Sequence, residues 1–312
     1  MSIAAIFPGQ GSFVPGCTRA WADHDPDEVL ATVSEGAGFD VVAAAESDGV
    51  GRDTRRAQPI IFSASLVAWR ALRQRGFAPQ FVAGHSLGEY SAAAAAEVLP
   101  LDAAARVVAT RGIATASACE ERPGGMAAVI RLAAAEVEEV VDGIEELFVA
   151  NDNAPGQVVI AGDLAAIEEA RKRVDALGGR LVVLDVEGAF HSPSMAPAVA
   201  EVREAFAVER SSDPVVPFVS ASRARVLETA SEAVASLIDG ILAAVRWRDV
   251  QLLLARKGVT DLVEIGPGRV LSGIAKRTVP SLRVHTVDLP EAVGPVLDRL
   301  RALVGPDAAP AT

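Results

Sequence analysis

The chain has 312 residues, half of them hydrophobic and only 4% aromatic, and a net charge of −12 at neutral pH. That composition supports a sizeable core and excludes an intrinsically disordered chain. With no basic run longer than Arg171-Lys172-Arg173, the acidic balance argues against nucleic acid or an anionic membrane as partner. Two cysteines, Cys17 and Cys119, form no CxxC pair and histidines are few, which argues against a metal site or a disulfide framework. The apolar start Met1–Phe7 is too short for a signal peptide and lacks a basic leader. No apolar run reaches the ~18 residues of a membrane span. A cytoplasmic, reduced setting is expected.

In chain order, Ile3–Phe7 is an apolar run stopped by Pro8-Gly9 and is expected to be a buried strand. A helix is expected over Pro59–Arg75, a strand over Gln80–Gly84, and helices over Gly88–Val98 and Leu101–Ser117. The character changes at Arg122-Pro123-Gly124-Gly125. Strands over 126–130, 147–151, 158–161 and 181–186, with helices over 133–141 and 164–177 (the second capped by Asp163), give the order β-α-β-β-α-β of a split ferredoxin-like motif. After it the α/β pattern resumes. Helices are expected over 197–207, 231–244, 250–257, 271–277 and 293–303, and strands over 216–220, 261–264 and 284–287.

The strongest chemical signal is Gly84-His85-Ser86-Leu87-Gly88, a G-x-S-x-G placed between a strand and a helix. Such a turn lifts the serine clear of the backbone, and flanking glycines allow the close approach it needs. The Leu87 amide, at the following helix N-terminus, is free to donate to an oxyanion. A serine nucleophile needs a base, and four histidines compete for the role. His24 lies in an acidic loop, His85 points away from its neighbour Ser86, and His285 sits in an alternating strand. His191, at a strand end entering a proline-stopped loop, is the favoured base.

Six motifs occur in order: Phe7-Pro8-Gly9-Gln10-Gly11-Ser12, Gly84–Tyr90, Arg111-Gly112, Asn153–Gln157, Gly188–Ser192 and Glu264–Gly268. Together they resemble the malonyl-CoA:acyl-carrier-protein transacylases of fatty-acid synthesis and the acyltransferases of polyketide synthases, across essentially the whole chain. Nothing like a ketosynthase or carrier domain flanks them, so a stand-alone enzyme is expected. The resemblance implies Ser86 as nucleophile, His191 as base, and the Gln10 and Leu87 amides as oxyanion hole. It implies a backbone carbonyl, at Arg246, orienting the histidine, and Arg111 gripping the malonyl carboxylate. Gln58 and Asn153 match pocket positions. A planar guanidinium also has its own rationale, since it binds a desolvated carboxylate bidentately. After Arg111-Gly112 the family carries larger residues than Ala114 and Thr115 here, which implies a roomier pocket. Phe190 before His191 resembles the malonyl-selective members and would crowd an α-substituent. Arg180, Lys276 and Arg277 match basic positions expected to dock the acidic carrier protein. The expected substrate is malonyl-CoA or a similar thioester, with no further cofactor and no metal.

The expected architecture is a larger α/β-hydrolase-like subdomain over 1–123 and 189–304. A small ferredoxin-like subdomain over 124–188 is inserted in it, and 305–312 is a loose tail. Three rival readings exist. An α/β-hydrolase-type esterase or thioesterase could use Ser86, Asp261 and His285 in the right chain order. A degenerate member could only dock carriers. A Rossmann site is weakened because Val14 replaces the third glycine of Gly9-Gln10-Gly11.

Overall fold

A computed structural model describes residues 2–304; the expected tail 305–312 lies outside the described residues. The strands are β1 (Ile3–Phe7), β2 (Phe81–Gly84), β3 (Gly125–Ile130), β4 (Leu147–Ala154), β5 (Gln157–Gly162), β6 (Arg180–Val183), β7 (Phe218–Ser220), β8 (Arg225–Leu227), β9 (Asp261–Ile265) and β10 (Arg283–Val287). They form two sheets, a six-stranded one in the order β10-β9-β1-β2-β7-β8 and a four-stranded one in the order β4-β5-β3-β6.

The large sheet is parallel except for the antiparallel edge strand β8. Parallel strands are covered on both faces and read as unbroken apolar runs, as β1 does; β9 is likewise buried at every position but carries the paired carboxylates Asp261 and Glu264. Along β1, Ile3, Ala5 and Phe7 enter one core and Ala4 and Ile6 the other, the alternation of a pleated strand. Helices Thr54–Arg73, Gly88–Ala95 and Leu101–Glu121 fill the first face, and Trp247–Arg256 and Val270–Thr278 the second. The small sheet is antiparallel throughout. Ala127 and Val129 of β3 pack under the helices Ala134–Val141 and Leu164–Ala176, while Met126 and Ala128 face the opposite way, toward the large sheet's cleft. Backbone bonds from Asp152 N to Val245 O and from Val245 N to Ala150 O, both 2.9 Å, stitch the two parts together.

Several boundaries differ from the sequence expectation. The helix Thr54–Arg73 starts five residues before Pro59, because the Asp53 carboxylate caps it by accepting from Arg55 N. Two helices, Val29–Ala37 and Val41–Ala44, and the edge strand β8 had no counterpart in the sequence reading. β6 ends at Val183 rather than Val186, and Asp163 caps its helix without a side-chain hydrogen bond. The helix expected to run to Ala244 stops at Asp239.

Candidate active site

β1 and β2 end side by side, with Phe7 opposite Gly84. A Cβ on Gly84 would run into the backbone of Gly88, and one on Gly88 into the Phe7 carbonyl. Neither position accepts a side chain, and the chain turns sharply from strand to helix between them. Ser86, at the apex, has φ 54°, a left-handed conformation that a serine holds only when its surroundings impose it. Its side chain lines a cleft of about 280 Å³ between the two sheets. Gln10 and Leu87 line the same cleft, and among the described residues no backbone acceptor is found for either N–H.

His191 is brought to the serine from the other side of the cleft. Its Nε2 lies 2.7 Å from Ser86 Oγ. Its Nδ1 lies 3.0 Å from the carbonyls of both Gly240 and Ala243. Carbonyls only accept, so Nδ1 carries the proton and Nε2 presents a lone pair to the serine hydroxyl. The expected partner was the Arg246 carbonyl, and the structure corrects this. The Arg246 carbonyl accepts from Val250 N at 3.1 Å as the helix Trp247–Arg256 begins, so it is committed elsewhere. The early stop at Asp239 is what frees the Gly240 and Ala243 carbonyls.

Burial, followed by the nearby Arg111 charge and His85, depresses His191 from 6.5 to about 3. The imidazole therefore stays neutral and able to accept a proton well into the acid range. The rate of Ser86 acylation is expected to show no acid limb between pH 7 and 5, measured by rapid-quench labelling. A limb centred on the ordinary histidine value would contradict the geometry. The linked stability runs the same way. Below about 6.5 the unfolded histidine binds a proton that the native one does not, so this group's contribution is present above that pH and is lost toward about 3.

Arg111, 6% exposed, occupies the cleft floor. Nη1 donates to Gln58 Oε1 at 2.6 Å, Nη2 lies 3.4 Å from Ser86 Oγ, and the guanidinium stacks on Tyr90 at 5.0 Å. Its buried Nε has no partner. Gln58 is itself steadied by donating to Thr115 Oγ1 at 3.2 Å. Ala114 and Thr115, expected in the pocket wall, do not line it. Ala114 faces the large core, and the Thr115 hydroxyl donates back to the Arg111 carbonyl at 2.7 Å. Their small size therefore adds no room beside the acyl group. Phe190 and Asn153 do line the cleft, the latter with Oδ1 accepting from His85 Nε2 at 2.8 Å. Asn151, Met126, Leu184 and Val186, not singled out from the sequence, also line the walls. Strand alternation on the small sheet could have identified Met126.

At the rim, Arg277 donates to Gln157 Oε1 at 2.8 Å, with Lys276 exposed beside it. Arg180 pairs across Ile130 in the same row as Gln157, about two strand spacings, or ~10 Å, away. The rival triad is not assembled. Asp261 accepts from His285 at 3.0 Å and from Arg283 at 2.6 Å, but it pairs with Ile3 at the start of β1, whereas Ser86 follows the end of β2. Four strand steps, roughly 13 Å, separate the two ends.

Comparisons with known proteins give the family and the fold. A profile of the acyl transferase domain matches residues 18–296. The malonyl CoA-acyl carrier protein transacylase of Escherichia coli is 35% identical over 306 residues, covering 95% of this chain and 98% of that protein. The enzyme of the same description from Synechocystis sp. is 34% identical over 289 residues, covering 92% and 97%. Among solved structures, the malonyl-CoA:acyl carrier protein transacylase of Xanthomonas oryzae superposes with a TM-score of 0.90 at 36% identity over 96% of this chain and 99% of that one. A malonyl-transacylase in complex with its type II PKS acyl-carrier protein gives 0.91 at 31% identity, over 96% and 100%.

Proposed function

The chain belongs to the acyl transferase domain family, and from that premise we propose that it moves a malonyl group from coenzyme A through a Ser86 ester to the phosphopantetheine thiol of an acyl carrier protein. The observation that carries this reading is the Ser86–His191 pair, 2.7 Å apart, facing a buried guanidinium, 3.4 Å from the serine oxygen, with an unpartnered Nε. A neutral acyl chain would leave that charge without a carboxylate; a dicarboxylic acyl group supplies one.

The reaction runs in two matching halves. His191 Nε2 takes the Ser86 proton as Oγ attacks the thioester carbonyl. The Gln10 and Leu87 amides hold the developing oxyanion. The tetrahedral intermediate expels the coenzyme A sulfur, which takes the proton from the imidazolium, leaving malonyl on Ser86. The carrier thiol then gives its proton to His191 and attacks the ester, and the imidazolium returns the proton to Ser86. The thioester is already activated, so the scheme asks for no cofactor. Arg111 binds the distal carboxylate, Gln58 and Asn153 support the pocket, and Phe190 crowds an α-substituent.

The architecture fits the same proposal. The large sheet, over 1–123 and 189–304, is the α/β-hydrolase-like catalytic subdomain. The β-α-β-β-α-β insert over 124–188 is the ferredoxin-like one that closes the cleft. No described helix is long and apolar enough to cross a membrane, and we take the enzyme to act in the cytoplasm.

Both this chain, at −12, and an acidic carrier are negative, so docking needs a local basic rim. Arg277, Lys276 and Arg180 form it. Reversing Arg277 or Arg180 to Glu is expected to lower kcat/KM for the carrier about tenfold at low salt, with Ser86 acylation by malonyl-CoA nearly unchanged. The carrier step should also weaken as ionic strength rises. Steady-state transfer to the carrier, alongside single-turnover loading, measures both. Unchanged carrier kinetics in both variants would move the docking face elsewhere.

A further inference from the structure

Glu89 lies three positions after Ser86, in the first turn of the helix Gly88–Ala95, and is only 3% exposed. Nothing in the reaction above uses it. A carboxyl removed from water is costly to keep unless its surroundings offset the loss, so its retention beside the nucleophile calls for a reason.

Its surroundings supply one. Oε1 accepts from Ala221 N at 2.8 Å. The Ala221 carbonyl accepts in turn from Arg246 N at 2.8 Å. Oε2 faces Gly240, where a Cβ would stand 3.6 Å from it and 2.9 Å from Ser236 O. Gly240 supplies one of the two carbonyls that hold His191 Nδ1. One side chain on the serine's helix thus reaches both the backbone after β7, at Ala221, and the turn after Asp239 that carries the carbonyls holding the base.

We propose that Glu89 is a positioning residue, setting the distance and angle between Ser86 and His191 by spanning from the elbow helix to the carbonyl cradle of the histidine. The proposal rests on the reading of His191 as the base. Reach and hydrogen bonding carry the role, not charge. Burial dominates its surroundings and pushes the carboxyl up to about 8, against weaker lowering by the Ala221 amide, Arg111, Ser220 and Arg223. At neutral pH the neutral acid therefore prevails, and glutamine has the same reach and the same Oε1 acceptor. Aspartate keeps an ionisable group but is one methylene too short to span the gap.

The experiment is a series of Glu89→Gln, Glu89→Asp and Glu89→Ala, with Ser86 acylation by malonyl-CoA followed in single turnovers and melting temperature recorded for each. The Asp and Ala variants are expected to lose roughly 10- to 100-fold in the acylation rate constant, with KM within about twofold, and Gln is expected to restore the rate to within about fivefold of the parent. An active Asp variant beside a slow Gln variant would overturn the proposal, because charge would then matter rather than reach. So would a parental rate in Glu89→Ala, or losses in all three that merely track the folded fraction. His191→Ala in the same assay separates the two claims. Retained acylation there removes the base assignment. Loss there with parental rates in Glu89→Ala and Glu89→Asp removes only the positioning role.

Discussion

Replacing His191 with alanine is expected to slow Ser86 acylation by about 10⁴-fold, while His285→Ala leaves it within about twofold of the parent. The two histidines make opposite kinds of contact. His191 offers a neutral Nε2 to Ser86 Oγ at 2.7 Å and is held from behind by two carbonyls. His285 is tied to Asp261 at the far end of the large sheet. Removing the first takes away the imidazole placed to receive the serine proton. Removing the second loosens the Asp261 cluster, where Arg283 remains as partner, and costs stability rather than chemistry. Rapid-quench loading with malonyl-CoA distinguishes them. An inactive His285→Ala beside an active His191→Ala would restore the esterase reading.

The second large effect concerns Arg111. Arg111→Ala is expected to cost malonyl transfer about 2–4 kcal/mol, or roughly 30- to 1,000-fold in kcat/KM. Acetyl transfer should be spared or improved. The guanidinium is buried against Gln58 and Tyr90 and has one nitrogen unpartnered, so an incoming carboxylate completes a site already desolvated. The same positive charge is the second cause of the depressed His191 value. Its removal lets the imidazole become a stronger base, and that gain falls to the acetyl donor, which has no carboxylate to lose. Equal losses for the two donors, measured side by side, would make Arg111 a structural residue.

The parts of the site carried by special residues were readable from the sequence. Gly84 and Gly88 announce the elbow around Ser86 because a Cβ at either would run into backbone, and His191 stood out at a strand end entering a proline-stopped loop. The apolar run of β1 and the β-α-β-β-α-β order announced the two layers. What was not readable is backbone. The Gly240 and Ala243 carbonyls that hold His191 exist because a helix stops at Asp239, and a carbonyl leaves no mark in the sequence. Ala114 and Thr115 were misplaced for a related reason. They share a helix with Arg111, but which way each faces depends on how that helix packs against Thr54–Arg73, and that packing turns Ala114 into the core. The helix Val29–Ala37 was missed although Val29, Leu30 and Val33 have helical spacing. Its cap comes from Asp25, whose carboxylate accepts from Val29 N and Leu30 N, outside the position where a capping residue is normally sought.

Intact-protein mass spectrometry of the enzyme mixed with equal concentrations of malonyl-, methylmalonyl- and acetyl-CoA, followed by addition of a phosphopantetheinylated carrier, tests the central claim most directly. The expected result is one malonyl ester per chain, lost on adding the carrier as the carrier gains the same mass, and no adduct in Ser86→Ala. A malonyl adduct on the Ser86→Ala protein, or a carrier that gains malonyl without any enzyme-bound ester forming first, would contradict it.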